Sequence, residues 1–219
     1  MSGAPRHFLD LSDFEGADLR IILNDAKAMK AGRAGLSKGT HETTALLAGK
    51  IIALIFQRPS TRTRVSFEVG IRQLGGESLL ISASDMQLGR GETIADTAKV
   101  LSRFVDGIMI RAQNHDDLME LAQHATVPVI NGLTNKSHPC QIMADILTLE
   151  EHLGPLEEQT IAWVGDGNNV AASFVHAVTR LGGKLRVATP GPLSLSPDLL
   201  KWARSNGADI TLTTSAAVA

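Results

Sequence analysis

The sequence has little of several features that would mark particular classes of protein. It contains one cysteine, Cys140, among 219 residues, so no intrachain disulfide can form. Its formal net charge is −2, so no basic excess points to nucleic acid or an anionic membrane as a partner. No apolar run approaches membrane-spanning length, and no secretory signal pattern opens the chain. We therefore expect a cytoplasmic protein that binds neither nucleic acid nor membrane.

The residues that are present favour a packed α/β fold. Hydrophobic residues make up 43% of the chain, enough for a core without a disulfide or metal. Short β-branched runs alternate with amphipathic helical patterns, which predicts mostly parallel sheets covered by helices on both faces. The predicted strands are 51–56, 78–82, 107–110, 127–131, 160–164, 184–188 and 209–213. The predicted helices are 17–30, 61–74, 92–104, 116–124, 141–153, 169–181 and 197–206.

The alternating pattern breaks once, at residues 154–159, where Gly-Pro and acidic residues intervene. This break predicts a first domain over 1–153 and the start of a second over 154–219. The predicted fold class is therefore α/β, with two doubly wound parallel-sheet domains. The second has only three predicted strands and nothing that caps the sheet, so we expect it to be incomplete in this chain.

The segment after the first predicted strand combines a helix start with hydroxyl and guanidinium side chains. Pro59 stops the strand, and the next residue lies where a helix should begin. The first turn of a helix offers unpaired backbone N–H groups and the positive end of the helix dipole, which suit a phosphate. The side chains that would add donors or charge are Ser60, Thr61, Arg62, Thr63, Arg58 and Arg64. Composition alone leaves open a phosphate site or a capped surface helix.

The full string is more specific than its parts. Ser60-Thr-Arg-Thr63, followed by Arg64-Val-Ser-Phe-Glu68, resembles the carbamoyl-phosphate signature of the aspartate and ornithine carbamoyltransferases. The resemblance implies that Ser60, Thr61, Arg62 and Thr63 hold the phosphate, with Thr63 also near the carbonyl. It extends over nearly the whole chain, and three further motifs carry it.

A glycine-rich loop follows the second predicted strand. Taken alone, residues 86–93 indicate a flexible connector that enters a helix. In the family that the chain resembles, this loop reaches the active site of a neighbouring subunit in a trimer, and the matching side chain is Gln87. Aspartate enzymes usually have a lysine in the loop, so Gln87-Leu-Gly-Arg90 resembles the ornithine branch. The resemblance implies a homotrimer or a multiple of trimers, with Gln87 at carbamoyl phosphate.

Two later strand ends carry further candidates. Arg111 follows the strand 107–110, where it can be a solvated charge or can face a ligand, because open α/β sheets bind ligands outside the carboxyl ends of their strands. His138-Pro-Cys-Gln141 resembles the family's His-Pro-x-Gln motif. The resemblance implies that Arg62, Arg111 and His138 are catalytic. It makes His138 a donor to the carbonyl oxygen of carbamoyl phosphate and Gln141 the partner of its amine.

The cysteine inside this motif also separates the branches of the family. Ornithine enzymes typically have cysteine at the third position, whereas aspartate enzymes usually have threonine. Cys140 could instead be a nucleophile, but no second histidine pairs obviously with it in the sequence. We therefore interpret Cys140 as a residue that supports the site.

The turn after the fifth predicted strand has two interpretations. Gly165-x-Gly167 is typical of a weak dinucleotide fingerprint, but Val170 replaces the third glycine and no acidic residue ends the next strand. A Gly-Asp-x-Asn-Asn turn resembles the part of ornithine carbamoyltransferases that contributes to the amino-acid site. The resemblance implies that Asn169 binds ornithine, with Asn168 its close rival.

Together these motifs imply an ornithine carbamoyltransferase, which transfers the carbamoyl group of carbamoyl phosphate to the side-chain amine of L-ornithine without a metal or cofactor. The alternatives are a carbamoyltransferase for aspartate, acylornithine or putrescine, and a chain that binds carbamoyl phosphate without catalysis. The family's later Asp-x-x-x-Ser-Met and His-Cys-Leu-Pro motifs are absent. The resemblance therefore implies carbamoyl phosphate binding more strongly than turnover. It leaves open arginine biosynthesis or degradation, which share this chemistry.

Overall fold

The computed structural model describes residues 4–82 and 92–219. The strands are β1 (Ile51–Phe56), β2 (Glu77–Ser82), β3 (Gly107–Arg111), β4 (Val129–Leu133), β5 (Thr160–Val164), β6 (Lys184–Ala188) and β7 (Asp209–Thr213). The helices are α1 (Gly16–Gly32), α2 (Thr61–Gln73), α3 (Ile94–Leu101), α4 (His115–His124), α5 (Pro139–Leu153), α6 (Asn169–Leu181) and α7 (Pro197–Ser205). Within the described ranges, no helix has the length and hydropathy that crossing a membrane would require.

The chain packs as two compact units. The first consists of the described residues of 1–9 and 29–134, and the second of 10–28 and 135–219. This division lies earlier than the predicted boundary after residue 153. The reason is the packing of α5, whose Glu150 receives ion pairs from Arg20 and Lys27 on α1 inside the second unit. The compact units are therefore not identical to the predicted domains. A domain boundary between residues 153 and 154 stays a prediction.

The first unit is built on a parallel sheet with the strand order β2-β1-β3-β4. Its central strands, β1 and β3, are apolar up to Arg111 at the end of β3, as expected where helices cover both faces of a sheet. Leu54, Ile108 and Met109 are fully buried. Burying one such side chain contributes roughly 1.5–3 kcal/mol. Phe56 is opposite both Ser82 and Arg111 in the register. The carboxyl ends of three strands therefore meet at one edge of the sheet, which is where a ligand is expected.

The second unit contains the parallel sheet β5-β6-β7. Helices α6 and α7 pack on it through an apolar core that includes Val175, Val178, Leu185, Val187 and Ala203. Each helix begins at a residue that caps it: the Asn168 side chain caps α6, and the Ser196 hydroxyl caps α7. The prediction of two parallel-sheet α/β domains is confirmed, and the second sheet has three strands in the part of the chain that the structure describes.

Candidate functional site

The first candidate site lies where β1 passes into α2. Ser60 occupies the N-cap position with an extended backbone, but its side chain makes no capping hydrogen bond. The first turn of α2 contains no acidic residue. The Ser60 hydroxyl, the first-turn N–H groups and the positive end of the helix dipole therefore lie together at the start of α2, and the first turn adds no negative charge. Such a helix start is suited to a phosphate.

Arg111 reaches this helix start from the end of β3. Its Nη1 donates a hydrogen bond of 3.1 Å to the Thr63 hydroxyl oxygen. Its Nε is buried and has no hydrogen-bond partner among the described residues. Burial lowers the pKa of Arg111, and the nearby charge of Arg62 lowers it further. Two guanidinium groups thus share this corner of the sheet, and an anion that accepted hydrogen bonds from both would relieve their repulsion.

The neighbouring arginine of the motif has a different environment. Arg64 Nε lies 3.3 Å from Glu68 Oε1, one helical turn further along α2. Both residues line a cleft of about 760 Å³ that also includes Phe56, Ser60 and Thr61. Because Glu68 compensates the Arg64 charge, Arg62 and Arg111 are the better candidates for binding a phosphate.

Gln57, which the sequence analysis did not select as a candidate, forms several hydrogen bonds at this edge of the sheet. Its side-chain oxygen accepts a hydrogen bond of 2.7 Å from the backbone N–H of Gln113, and its Nε2 donates one of 2.9 Å to Asp117 Oδ2. Its backbone N–H donates to the carbonyl of Arg111 at 3.1 Å. Its position directly after a buried strand could have identified it from the sequence, because ligands bind outside the carboxyl ends of such strands.

The second unit holds the remaining candidates that the structure describes. His138 is the N-cap of α5, and its backbone N–H donates to the Ser173 hydroxyl at 2.8 Å. Pro139 follows at the first helical position, where its fixed φ suits a helix start. Gln141 Nε2 donates to Asp145 Oδ1 at 2.8 Å, one turn along the same helix. The backbone of His138 is therefore held by its place at the start of α5 and by the hydrogen bond to Ser173.

Cys140 does not have the properties of a nucleophile. Burial raises the pKa of its thiol to about 12. Because the thiolate is the reactive form, this thiol is protonated and inert at neutral pH. The raised pKa argues against the nucleophile alternative, and the supporting role of Cys140 stays a prediction.

The structure distinguishes the two asparagines at the start of α6. Asn168 Oδ1 accepts hydrogen bonds from the N–H groups of Val170 and Ala171, at 2.9 and 3.1 Å. Its Nδ2 donates to Asp166 Oδ1 at 3.0 Å. The Asn168 amide is therefore engaged in capping the helix.

The glycine turn before α6 is filled by the chain itself. A Cβ placed on Gly167 would lie 2.7 Å from the backbone nitrogen of Leu195 and 2.9 Å from the carbonyl oxygen of Leu193. The Gly167 N–H also donates to that carbonyl at 2.7 Å. Close packing against residues 193–195 accounts for the glycine, so no dinucleotide pyrophosphate is needed to explain it.

The sequence candidates thus divide between the two units. The structure brings together Ser60, Thr61, Arg62, Thr63 and Arg111 in the first, and it places His138, Gln141, Asn168 and Asn169 in the second. Gln87 lies outside the described residues. Among the described residues, no group of three or more His, Cys, Asp or Glu side chains is placed to hold a metal ion.

Comparison with known families divides the candidates at a different point, after residue 151. Residues 6–151 match the family model described as "Aspartate/ornithine carbamoyltransferase, carbamoyl-P binding domain". Residues 157–219 match "Aspartate/ornithine carbamoyltransferase, Asp/Orn binding domain". The first match contains the phosphate-binding candidates together with His138 and Gln141, and the second contains both asparagines.

Individual relatives extend the match to almost the full chain. It is 60% identical over 210 residues to the ornithine carbamoyltransferase of Rhodopseudomonas palustris, covering 96% of this chain and 66% of the relative. It is 60% identical over 214 residues to the ornithine carbamoyltransferase of Nitrobacter winogradskyi, covering 98% of this chain and 68% of that relative. The ornithine carbamoyltransferase structure from Pyrococcus furiosus superposes with a TM-score of 0.89 at 47% identity, covering 97% of this chain and 68% of that one.

The chain spans about two thirds of the length of these relatives. Over that span, both family models, the sequence identity and the fold agree with one another. The chain belongs to the aspartate/ornithine carbamoyltransferase family and, within it, to the ornithine carbamoyltransferases.

Proposed function

We propose that the protein binds carbamoyl phosphate at the start of α2 and transfers its carbamoyl group to the side-chain amine of L-ornithine, giving L-citrulline and phosphate. The observation that carries the proposal is the pair Arg62 and Arg111 beside the α2 N-terminus. Arg111 donates to Thr63 and has a buried Nε without a hydrogen-bond partner among the described residues. A phosphate there would accept hydrogen bonds from both guanidinium groups and from the helix start.

The proposed reaction needs positioning and charge stabilisation from the protein. The uncharged amine of ornithine attacks the carbonyl carbon, and the bond from that carbon to the phosphate oxygen then breaks. The phosphate leaves with the bonding electrons and takes up the proton that the amine loses. Arg62 and Arg111 would stabilise the negative charge that gathers on the phosphate. The protein itself forms no covalent intermediate in this proposal, which is consistent with the inert Cys140 thiol.

The other candidates receive roles from the family resemblance. We propose that Ser60, Thr61 and Thr63 contribute hydroxyl donors to the phosphate and that Gln87 also serves this substrate. His138 would donate to the carbonyl oxygen, and Gln141 would accept from the carbamoyl amine. Asn169 would bind ornithine, in preference to Asn168, whose amide caps α6.

We further propose that the protein acts as a homotrimer in the cytoplasm, within arginine metabolism. The single cysteine supports a compartment where disulfides are rare. Sedimentation equilibrium tests the oligomer directly, because a trimer has three times the chain mass of 23.3 kDa. A mass equal to one chain at micromolar concentration would contradict the trimer.

The function is tested by incubating the purified chain with labelled carbamoyl phosphate and, separately, L-ornithine, N-acetylornithine, putrescine or L-aspartate. Citrulline from ornithine, without product from the others, is the expected result. Product from aspartate would contradict the ornithine assignment. Binding of carbamoyl phosphate without product from any acceptor would show a binding protein, which is the alternative from a different functional class.

The role of His138 is tested by replacing it with alanine. Loss of one donor to a developing oxyanion costs roughly 2.7–4 kcal/mol of transition-state stabilisation. We expect His138→Ala to lower kcat by about a hundredfold or more while carbamoyl phosphate still binds. His152→Ala, in the last turn of the same helix, is the matched control. An unchanged kcat in His138→Ala would contradict the proposed role of His138 as a donor to the carbonyl oxygen.

A further inference from the structure

The point where β3 leaves the sheet is irregular. Ile110 pairs with Asn131, but Arg111 pairs with Leu133, so Gly132 is an extra residue on β4. A side chain at Gly132 would collide with Met109, so this irregular pairing accompanies a close approach of the two strands. The regular ladder between β3 and β4 is therefore interrupted at the residue that carries the candidate guanidinium group.

Gln57 forms hydrogen bonds with the segment directly after this interruption. Its backbone N–H donates to the carbonyl of Arg111, and its side-chain oxygen accepts from the N–H of Gln113, two residues further along. Its Nε2 donates to Asp117 in the first turn of α4. One residue at the end of β1 therefore connects the segment that carries Arg111 to the helix that follows it.

We propose that Gln57 is a positioning residue for Arg111 in carbamoyl phosphate binding. This inference rests on the proposed function, because it concerns the same site. Both polar atoms of the Gln57 amide already have protein partners, so its effect would pass through Arg111 and not through contact with the phosphate. Arg111 must present Nη1 to Thr63 and its other donors to the ligand. A small shift of its backbone would disturb both.

The chemistry of the amide determines which substitutions should disturb it. The position needs one acceptor towards Gln113 and one donor towards Asp117. Gln57→Glu keeps the acceptor but places a carboxylate against the Asp117 carboxylate, which repels it. Asp117→Asn keeps an oxygen that can accept from the Gln57 amide. The double variant Gln57→Glu/Asp117→Asn reverses the direction of this hydrogen bond and restores the original net charge.

The experiment measures binding of carbamoyl phosphate and of inorganic phosphate to the purified chain by isothermal titration calorimetry. We expect Gln57→Glu to weaken binding by about tenfold, in line with the loss of one or two hydrogen bonds. Asp117→Asn should change it by less than about threefold. The double variant should return to within about threefold of the parent, so that the cycle shows coupling between the two positions.

Gln73→Glu is the matched control, because it removes a comparable amide donor, to the Lys38 carbonyl, near the other end of α2. It should bind as the parent does. If thermal unfolding shows that Gln57→Glu does not fold, Gln57→Ala carries the test, since it removes both bonds without adding charge and should also weaken binding by about tenfold.

The outcomes separate this inference from the function on which it rests. A parent chain that binds neither carbamoyl phosphate nor inorganic phosphate would overturn the proposed site, and the role of Gln57 with it. A parent that binds, together with a folded Gln57→Glu or Gln57→Ala of equal affinity, would overturn the inference alone. A double variant as weak as Gln57→Glu would also overturn it, because restoring the hydrogen bond between positions 57 and 117 should restore the position of Arg111.

Discussion

Two pairs of cations, one pair in each unit, have opposite electrostatic environments. In the second, Arg20 and Lys27 contact Glu150 at 2.7 and 2.6 Å, and the Glu150 side chain is only 2% exposed. In the first, Arg62 and Arg111 share one sheet edge and form no ion pair with a carboxylate among the described residues. This difference indicates that a cation paired with a carboxylate of the protein itself stabilises the fold. A pair of cations left together at a helix start is suited to an anionic ligand.

The pKa shifts follow the same division. Burial by itself would raise the pKa of Glu150, but the hydrogen bonds from Lys27 and Arg20 lower it overall. Burial would likewise raise the pKa of Asp10, yet His176, whose Nδ1 lies 2.5 Å from Asp10 Oδ1, helps to lower it. These groups are stabilised by partners in their own unit. Arg111 shows the reverse, since its environment disfavours its charged form.

The strongest test of this comparison is Arg62→Ala. If Arg62 is reserved for an anion, its removal should cost binding and leave folding almost unchanged. We expect carbamoyl phosphate affinity to fall by about a thousandfold, on the order of 4 kcal/mol, measured by isothermal titration calorimetry. Arg72→Ala removes the same charge at the last turn of α2 and should bind normally. Parent-like affinity in Arg62→Ala would show that the site is elsewhere.

The converse test concerns the second unit. Glu150→Ala would leave Arg20 and Lys27 without their shared carboxylate, and it would also remove the acceptor of the Leu156 N–H. We expect the free energy of unfolding to fall by about 3 kcal/mol in urea denaturation. Glu158→Ala, which removes an exposed carboxylate from the same unit, should change it by less than about 0.5 kcal/mol. Equal stability of the two variants would refute the structural role of Glu150.

A smaller effect distinguishes capping from binding at α6. Asn168→Ala removes the acceptor for the N–H groups of Val170 and Ala171, and it should lower the free energy of unfolding by about 1 kcal/mol. Asn168→Ser retains a capping oxygen and should recover most of this loss. Thermal and urea unfolding measure both. A stability unchanged in Asn168→Ala would contradict the capping role of Asn168.

The smallest expected effect is a dependence of stability on pH from His7. Its Nδ1 accepts the Val129 N–H at 3.1 Å, and burial lowers its pKa from the ordinary value of 6.5. The unfolded chain then binds a proton more readily than the folded one. The His7 contribution is therefore fully present above pH 6.5 and is lost as the pH falls through the lower folded value.

The corresponding measurement compares urea unfolding from pH 8 to pH 5.5. The difference in stability between the parent and His7→Ala should shrink on acidification, by less than about 1 kcal/mol. A His7→Ala difference that does not vary with pH would contradict the proposed acceptor role.

The sequence predicted the strands well where local pattern and burial coincide. Ile51–Phe56 is apolar along its whole length, and its predicted bounds match those of β1. The fourth strand was predicted two residues early, over 127–131, because its bounds depend on pairing with β3 and on the extra Gly132. Phosphate-site residues could be predicted because helix starts and strand ends are local features.

Long-range polar contacts had no comparable sequence signal. Gln57 and Gln113 are 56 residues apart, and Arg20 and Glu150 are 130 apart. No periodicity connects such pairs, so neither the cluster at Glu150 nor the contacts of Gln57 could be predicted. The capping role of Asn168 had a usable signal, because asparagine is favoured directly before a helix.

The docking of residues 7–9 beside β4 bears on the order of folding. Phe8 pairs with Ile130, and the hydrogen bonds of this segment span 122 residues. On a growing chain, these residues emerge long before β4 and have no strand to join until β4 has been made. Contacts of such separation form late, because a long loop must close before they stabilise anything. Until then β4 is an open sheet edge, and an open edge invites pairing between nascent chains.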